Sequence, residues 1–172
     1  MIRLLLLAFP IMTVAVAAAP LHIGDALPVL YGETLSGKPA ELPAAGGGRN
    51  RVLVFSFTRA ASADSRLWNE RLAKDLGPAR PVIAFRVIML ESVPRLFRRM
   101  AVSGIKSGIP QALWDKTILS YKDEAPWKER LGVSADKHSY VVVLDAEGRV
   151  RWMSSGPYSE QGYGQLSKAL GQ

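Results

Sequence analysis

The chain has 172 residues, of which 48% are hydrophobic and 22% charged, and its formal net charge is +7. This length and composition are those of one folded domain, and they exclude a disordered or fibrous protein. The sequence contains no cysteine, which excludes disulfides within the chain, thiolate metal sites and thiol redox chemistry. We therefore expect a fold that is stabilised by its apolar core without covalent cross-links.

An apolar run follows Arg3, from Leu4 to Val16, and ends in small residues. A basic residue, a short apolar stretch and small residues at a cleavage point are typical of a secretory signal peptide. An uncleaved anchor is the alternative, although the run is shorter than the roughly 20 residues that cross a bilayer. The sequence thus predicts a signal peptide over residues 1–18, cleaved near Ala17 or Ala18, and a periplasmic or secreted protein.

Strand and helix patterns alternate along a predicted domain at residues 23–171. Residues 23–42 combine short apolar pieces with turn residues and predict an N-terminal β-hairpin extension. The apolar run 51–57 predicts a buried strand, and residues 62–76 have helical periodicity. The later predicted elements are a strand at 81–90, a helix from 92, an irregular segment at 104–110, a short strand at 117–121, a short helix at 125–131, a hairpin of strands 140–144 and 149–153, and a helix at 159–170. Because strands that alternate with helices require a covered sheet, we predict an α/β three-layer sandwich with a mixed central sheet flanked by helices.

The most informative segment reads FSFTRAASADSRLW over residues 55–68, where a predicted strand meets a predicted helix. It resembles the junction of thioredoxin-like proteins, which places a cysteine where the helix dipole and unpaired N–H groups stabilise a thiolate. In a C-x-x-C alignment Ala60 and Ala63 occupy the cysteine positions, and in a T-x-x-C alignment Ala61 does. Ser139 stands where these proteins have a cis-proline. We therefore predict a redox-inactive protein with no catalytic residue at this junction.

Polar side chains at the same junction offer a different kind of site. The candidates are Thr58, Arg59, Ser62 and Arg66. A helix N-terminus with two arginines can bind a small anion. The plainer interpretation makes Ser62 the helix N-cap and Asp64 a favourable acidic residue in the first turn, with the arginines in solvent.

Other site patterns are weak. His22 and His138 are far apart, and no cluster has metal-ligand spacing, so we expect no metal. The glycines at 46–48 precede a strand, whereas a phosphate loop links a strand to a helix, so we expect no cofactor. On the terminal hairpin, Arg151 and Trp152 are a candidate partner contact, because Arg and Trp are enriched at interfaces.

The densest cluster of basic residues lies on one predicted helix, where Arg95, Arg98 and Arg99 stand beside Leu96, Phe97 and Met100. We interpret it as a solvated helix face in preference to an anion or membrane-surface site. Elsewhere the basic residues are scattered, which predicts no nucleic acid partner. The positive charge favours anionic surfaces in general, so peripheral contact with an anionic membrane stays an alternative.

Two stretches together resemble a known family. They are FSFTRAASADSRLWNERLAKDL at residues 55–76 and LGVSADKHSYVVVLDAEGRVRWMSSGPYSEQGYGQL at residues 131–166. They resemble the thioredoxin-like family typified by the mitochondrial ATP synthase assembly factor 10, which has bacterial relatives. Arg151-Trp152 after the hairpin turn is the feature that points to this family in particular among thioredoxin-like proteins. The resemblance implies a fold without redox cysteines that gives chaperone-like help to a membrane subunit of ATP synthase.

The combined prediction is an exported, redox-inactive thioredoxin-like protein that binds a protein, peptide or membrane-protein client as an assembly or chaperone-like factor. The alternative is a non-thiol enzyme or a small-anion-binding protein that uses the junction from Thr58 to Arg66. A structural envelope protein without a client is a third interpretation.

Overall fold

The computed structural model describes residues 18–44, 47–76, 81–154 and 156–171. The predicted signal peptide, apart from its last residue, lies outside the described residues. The strands are β1 (Leu30–Thr34), β2 (Pro39–Leu42), β3 (Asn50–Ser56), β4 (Val82–Met89), β5 (Thr117–Ser120), β6 (Tyr140–Leu144) and β7 (Val150–Met153). The helices are α1 (Ser62–Asp75), α2 (Arg95–Gly108), α3 (Glu124–Arg130) and α4 (Glu160–Ala169), and 3-10 turns span Arg59–Ala61 and Gln111–Lys116.

The strands form one mixed sheet in the order β2-β1-β5-β4-β3-β6-β7. β3 pairs in parallel with β4, and β4 with β5, whereas the remaining pairs are antiparallel. β3 lies inside the sheet, and its residues 51–56 are all buried. A strand that is covered on both faces needs a continuous apolar run instead of an alternating one, which is the pattern of Val52 to Phe55.

Helices cover both faces of the sheet and complete the predicted three layers. On one face, Trp127 of α3 stacks on Phe55 of β3 with ring centroids 5.3 Å apart. On the other face, Trp68 of α1 and Tyr163 of α4 pack against the valines of β3 and β6. α2 lies on that same face, over β4 and β5, beside Leu119. The predicted α/β sandwich with a mixed sheet is therefore confirmed.

The predicted N-terminal hairpin is present, and it extends the central sheet. β1 pairs with β2 and also with β5, with Glu33 opposite Leu119. Gly32 permits this approach, because a Cβ atom at that position would lie 2.5 Å from the carbonyl oxygen of Leu119. The hairpin thus forms one edge of the sheet and does not stand apart from it.

One predicted segment is wrong. The sequence predicts an irregular segment at residues 104–110, but α2 continues to Gly108. Gly104 and Gly108 have no atom within 4 Å of a Cβ built on them, so they lie on an open side of the helix. A glycine lowers helix propensity by only about 1 kcal/mol, which packing of the other side can offset. No helix in the described part of the chain is both long and apolar enough to cross a membrane.

Candidate functional site

The junction after β3 turns through a short 3-10 segment before α1 begins. Phe57 is buried, and Thr58 has extended dihedrals of −140° and 164°. The Thr58 hydroxyl donates a 2.8 Å hydrogen bond to the carbonyl oxygen of Asp136, and the Thr58 carbonyl accepts one from the Ala61 amide at 3.2 Å. Thr58 therefore joins the junction to the loop that precedes β6.

The predicted N-cap role of Ser62 is wrong. The residue before the first turn of α1 is Ala61, which has helical dihedrals and no side chain that can cap. Ser62 is already the first residue of the helix, and it is exposed. The reason is the preceding 3-10 turn, which brings the backbone into helical conformation before α1 begins.

Asp64 lies in the first turn of α1, as predicted, and it also has a tertiary role. One carboxylate oxygen accepts a 2.7 Å hydrogen bond from the Ser139 amide, and the other accepts a 2.7 Å bond from the Tyr158 amide. Hydrogen bonds to an ionised acceptor are stronger than those between neutral groups. Asp64 thus holds the start of α1 against the loops that precede β6 and α4.

Ser139 fills the position predicted for a replaced cis-proline. It is fully buried, and its hydroxyl donates to the Ala61 carbonyl at 3.3 Å and lies 3.4 Å from the hydroxyl of Ser56. Among the described residues the cis peptide bond is the one before Pro43, so the bond before Ser139 is trans. The loop is therefore held against the junction by hydrogen bonds.

The three alanines at the cysteine positions differ in exposure. Ala60 and Ala63 are exposed, whereas Ala61 between them is fully buried. The C-x-x-C alignment thus falls on two accessible positions, and the T-x-x-C alignment falls on a position inside the core. None of these methyl groups has a lone pair or an acidic proton that could take part in thiol-type chemistry.

Three of the predicted site residues form an exposed patch, which we call the junction surface: Arg59, Ser62 and Arg66. Ser62 and Arg66 are one helical turn apart and therefore lie on the same side of α1. Arg66 pairs with Glu70 at 3.8 Å, but both side chains are mostly exposed, so this pair contributes little stability. Half-buried Thr58 stands at the edge of the patch.

The other two predicted site residues lie away from the junction surface. Trp152 is half-buried and packs beneath α1, where its ring centroid is 6.2 Å from that of Trp68. Arg151, its neighbour on β7, is exposed. The structure therefore places Trp152 at the edge of the core and leaves Arg151 as the more accessible member of the pair.

Sequence reasoning missed two polar groups. The tertiary role of Asp64 has no local signal, because its partners are far away in the chain. Arg86 does have a local signal in the sequence, since it is the charged residue within the apolar run of β4. Half-buried Arg86 lines a cleft of about 250 Å³ with Asn69 and Lys116. Burial lowers the pKa of Arg86, and nearby Glu70 opposes that shift.

Within the described ranges, no three His, Asp or Glu side chains are grouped as metal ligands.

The sequence matches the model of the ATP10 protein family over residues 26–172. A curated relative, the mitochondrial ATPase complex subunit ATP10 of Candida glabrata, is 28% identical over 76 residues. That alignment covers 43% of this chain and only 28% of the relative's length. The relative is named as a mitochondrial protein, so the predicted periplasmic or secreted location is wrong.

Solved structures with low sequence identity share the fold. The thioredoxin domain of a thiol-disulfide oxidoreductase from Bacteroides vulgatus is 17% identical with a TM-score of 0.59, covering 87% of this chain and 99% of that one. StoA from Bacillus subtilis is 17% identical with a TM-score of 0.56, covering 84% and 98%. A peroxiredoxin-like protein from Aquifex aeolicus is 15% identical with a TM-score of 0.55, covering 89% and 90%. The fold is thus thioredoxin-like, and the chain belongs to the ATP10 protein family.

Proposed function

We propose that this protein is an assembly factor that binds a protein client, namely a subunit of ATP synthase. Membership of the ATP10 family supports this proposal, and so does the name of the Candida glabrata relative as an ATPase complex subunit. The chain has no thiol, so its thioredoxin-like junction is better suited to binding than to redox chemistry. The membrane that contains ATP synthase is the proposed place of action, and the positive charge of the chain suits an anionic surface there.

The junction surface is the proposed client contact. The observation that supports it most is the pair of 2.7 Å hydrogen bonds through which Asp64 holds the thiol-free junction in place. A binding surface that is already ordered loses little conformational entropy when a partner docks. Arg59 and Arg66 give this surface two exposed guanidinium groups, which suit an acidic or carbonyl-rich segment of a client.

The alternative function, a small-anion site or a non-thiol enzyme at the junction, has less support. An anion bound at the start of α1 would be close to the Asp64 carboxylate, which already provides the negative charge that a helix N-terminus favours. Neither His22 nor His138 makes a hydrogen bond to Ser62 in the described structure, so Ser62 has no base that would activate it. We therefore propose binding in preference to catalysis.

Site-specific photo-crosslinking tests the proposed contact. A photoreactive side chain at Ser62 is expected to crosslink an ATP synthase subunit in native membranes. The same group at Lys74, which is also exposed on α1 but lies three turns away, is the matched control. Arg59→Glu with Arg66→Glu should reduce the Ser62 crosslink several-fold, because reversed charges oppose the client. Equal crosslinking from both positions, or recovery of no ATP synthase subunit, would reject the proposed surface.

A further inference from the structure

α2 differs from the other described helices, because none of its residues is buried. Its most exposed apolar side chains are Leu96, Met100 and Phe97, which are 84%, 67% and 50% exposed. By comparison, α1 exposes one large apolar side chain, Leu67, at 46%. Three large apolar groups on one short helix form a continuous exposed patch, and such a patch on the surface of a folded protein usually marks an interaction site.

Leu96 and Met100 lie on the outer side of α2, away from the sheet, and Phe97 lies beside them. Val102 and Ile105 are the half-buried residues through which α2 packs against the cluster around Leu119. At 100° per residue, Leu96 and Met100 lie on nearly the opposite side of the helix from Ile105. The helix is therefore apolar on both its inner and its outer side, and packing within the protein accounts only for the inner side.

Basic side chains flank this outer patch. Arg95 and Arg99 are exposed, and within the described part of the chain they form no ion pair. Arg98 differs, because it donates to the Val93 carbonyl at 2.9 Å and stacks over Tyr121. An open cleft of about 510 Å³ runs along the same flank. It is lined by Arg98, Arg99, Val102, Ser103, Lys106 and Tyr121.

We infer that α2 docks on the surface of a membrane that contains anionic phospholipids. In this arrangement Leu96, Phe97 and Met100 enter the headgroup region, and Arg99 with the basic cleft binds lipid phosphate groups. A convex helix with protruding apolar side chains and uncompensated cations matches an amphipathic helix that lies in the interface plane. The inference replaces the solvated face that the sequence suggested, and it deepens the proposed function, on which it rests, by naming the surface that meets the membrane.

The natural absence of cysteine permits a local test in the full chain. Met100→Cys and, as the matched control, Leu67→Cys are each labelled with an environment-sensitive fluorophore. The label at residue 100 should become protected from an aqueous quencher when phosphatidylcholine vesicles containing phosphatidylglycerol are added. It should stay accessible with vesicles of phosphatidylcholine alone, and the label at residue 67 should stay accessible with both. A comparison of two sites in one chain separates docking of α2 from any vesicle binding by the apolar N-terminal run.

The arginines supply the second arm of the test. On the Met100→Cys background, Arg95→Gln with Arg99→Gln should raise the lipid concentration for half-maximal protection about 25-fold, since each basic residue at an anionic surface contributes roughly fivefold. In the Met100→Cys variant that keeps both arginines, added salt should weaken the protection of the label from the quencher. Equal protection at residues 67 and 100, equal protection by neutral vesicles, or no effect of the arginine changes would overturn the inference.

Client binding is measured separately, by the Ser62 crosslink in native membranes. If the Ser62 crosslink to ATP synthase forms while residue 100 stays accessible to the quencher, the membrane inference fails and the proposed function stands. If residue 100 is protected by lipid but no client is crosslinked, the proposed function fails. Protection of residue 100 by purified ATP synthase in detergent, without vesicles, would make α2 a protein interface and would also overturn the inference.

Discussion

At the scale of single residues, Asp64 and Ser139 determine how the junction is organised. A thioredoxin-like junction that contains cysteine keeps its reactive atom accessible at the start of the helix. Here the accessible positions hold methyl groups, and the polar groups are used for hydrogen bonds between segments. The Asp64 carboxylate has two backbone amide partners, so it stabilises the fold more than an ordinary acidic residue in a first helical turn does.

We expect Asp64→Ala to lower the free energy of unfolding by about 2–4 kcal/mol, because two amides lose an ionised acceptor. Urea denaturation measures the change, and hydrogen exchange at the Ser139 and Tyr158 amides should accelerate. The control is Asp136→Ala, which removes an exposed carboxylate whose side chain makes no hydrogen bond in the described structure; it should change stability by less than about 0.5 kcal/mol. Similar losses for both variants would contradict the role given to Asp64.

The raised pKa of Tyr163 predicts a loss of stability at alkaline pH. Burial and a hydrogen bond to Asp75 raise the pKa of Tyr163 to about 12, and its side chain is 3% exposed. In the unfolded chain the pKa is about 10. Since the folded state retains the proton longer, the stabilisation is complete below about pH 10 and is lost as the pH rises toward about 12. Urea denaturation across this pH range should show that the free energy of unfolding falls more steeply for the natural chain than for Tyr163→Phe. Parallel declines of the two free energies would argue against this linkage.

At the scale of elements, two serines at helix starts differ in their expected contributions. Ser159 is the N-cap of α4, and its hydroxyl accepts a 3.0 Å hydrogen bond from the Gly162 amide. Ser159→Ala should therefore cost about 1 kcal/mol of stability. Ser62, inside the first turn of α1 and exposed, makes no such bond, so Ser62→Ala should change stability by less than about 0.5 kcal/mol. Thermal or urea unfolding compares the two, and a larger loss for Ser62→Ala would contradict the observed helix start.

At the scale of the whole molecule, the attachment of the hairpin depends on one close approach between β1 and β5. A Cβ atom at Gly32 would lie 2.5 Å from the Leu119 carbonyl oxygen and 2.8 Å from a methyl group of Ile118. Gly32→Ala is thus expected to destabilise the protein by about 1–3 kcal/mol and to accelerate hydrogen exchange in β1 and β2. Gly104→Ala, on the open side of α2, should instead stabilise by about 0.5–1 kcal/mol. Slower exchange in the hairpin of Gly32→Ala would show that the approach is not needed.

Local patterns in the sequence were sufficient for most of the fold. The buried strand after residue 50, the helical face that contains Trp68 and Leu72, and the strand Tyr140–Leu144 all follow from apolar periodicity, which depends on neighbouring residues alone. The end of α2 could not be predicted in this way, because its glycines weaken the local helix signal and the packing of Ile105 and Val102 compensates for them.

The sequence by itself determined that no thiol chemistry occurs, since that conclusion needs only the absence of cysteine. It also determined the order of strands and helices, because each forms from contiguous residues. Only the tertiary structure decided that Asp64 bonds to amides 75 and 94 residues away, that Trp152 packs against Trp68, and that α2 presents apolar side chains outward. Such facts depend on which distant segments meet when the chain is packed, and a periodic pattern contains no information about those distances.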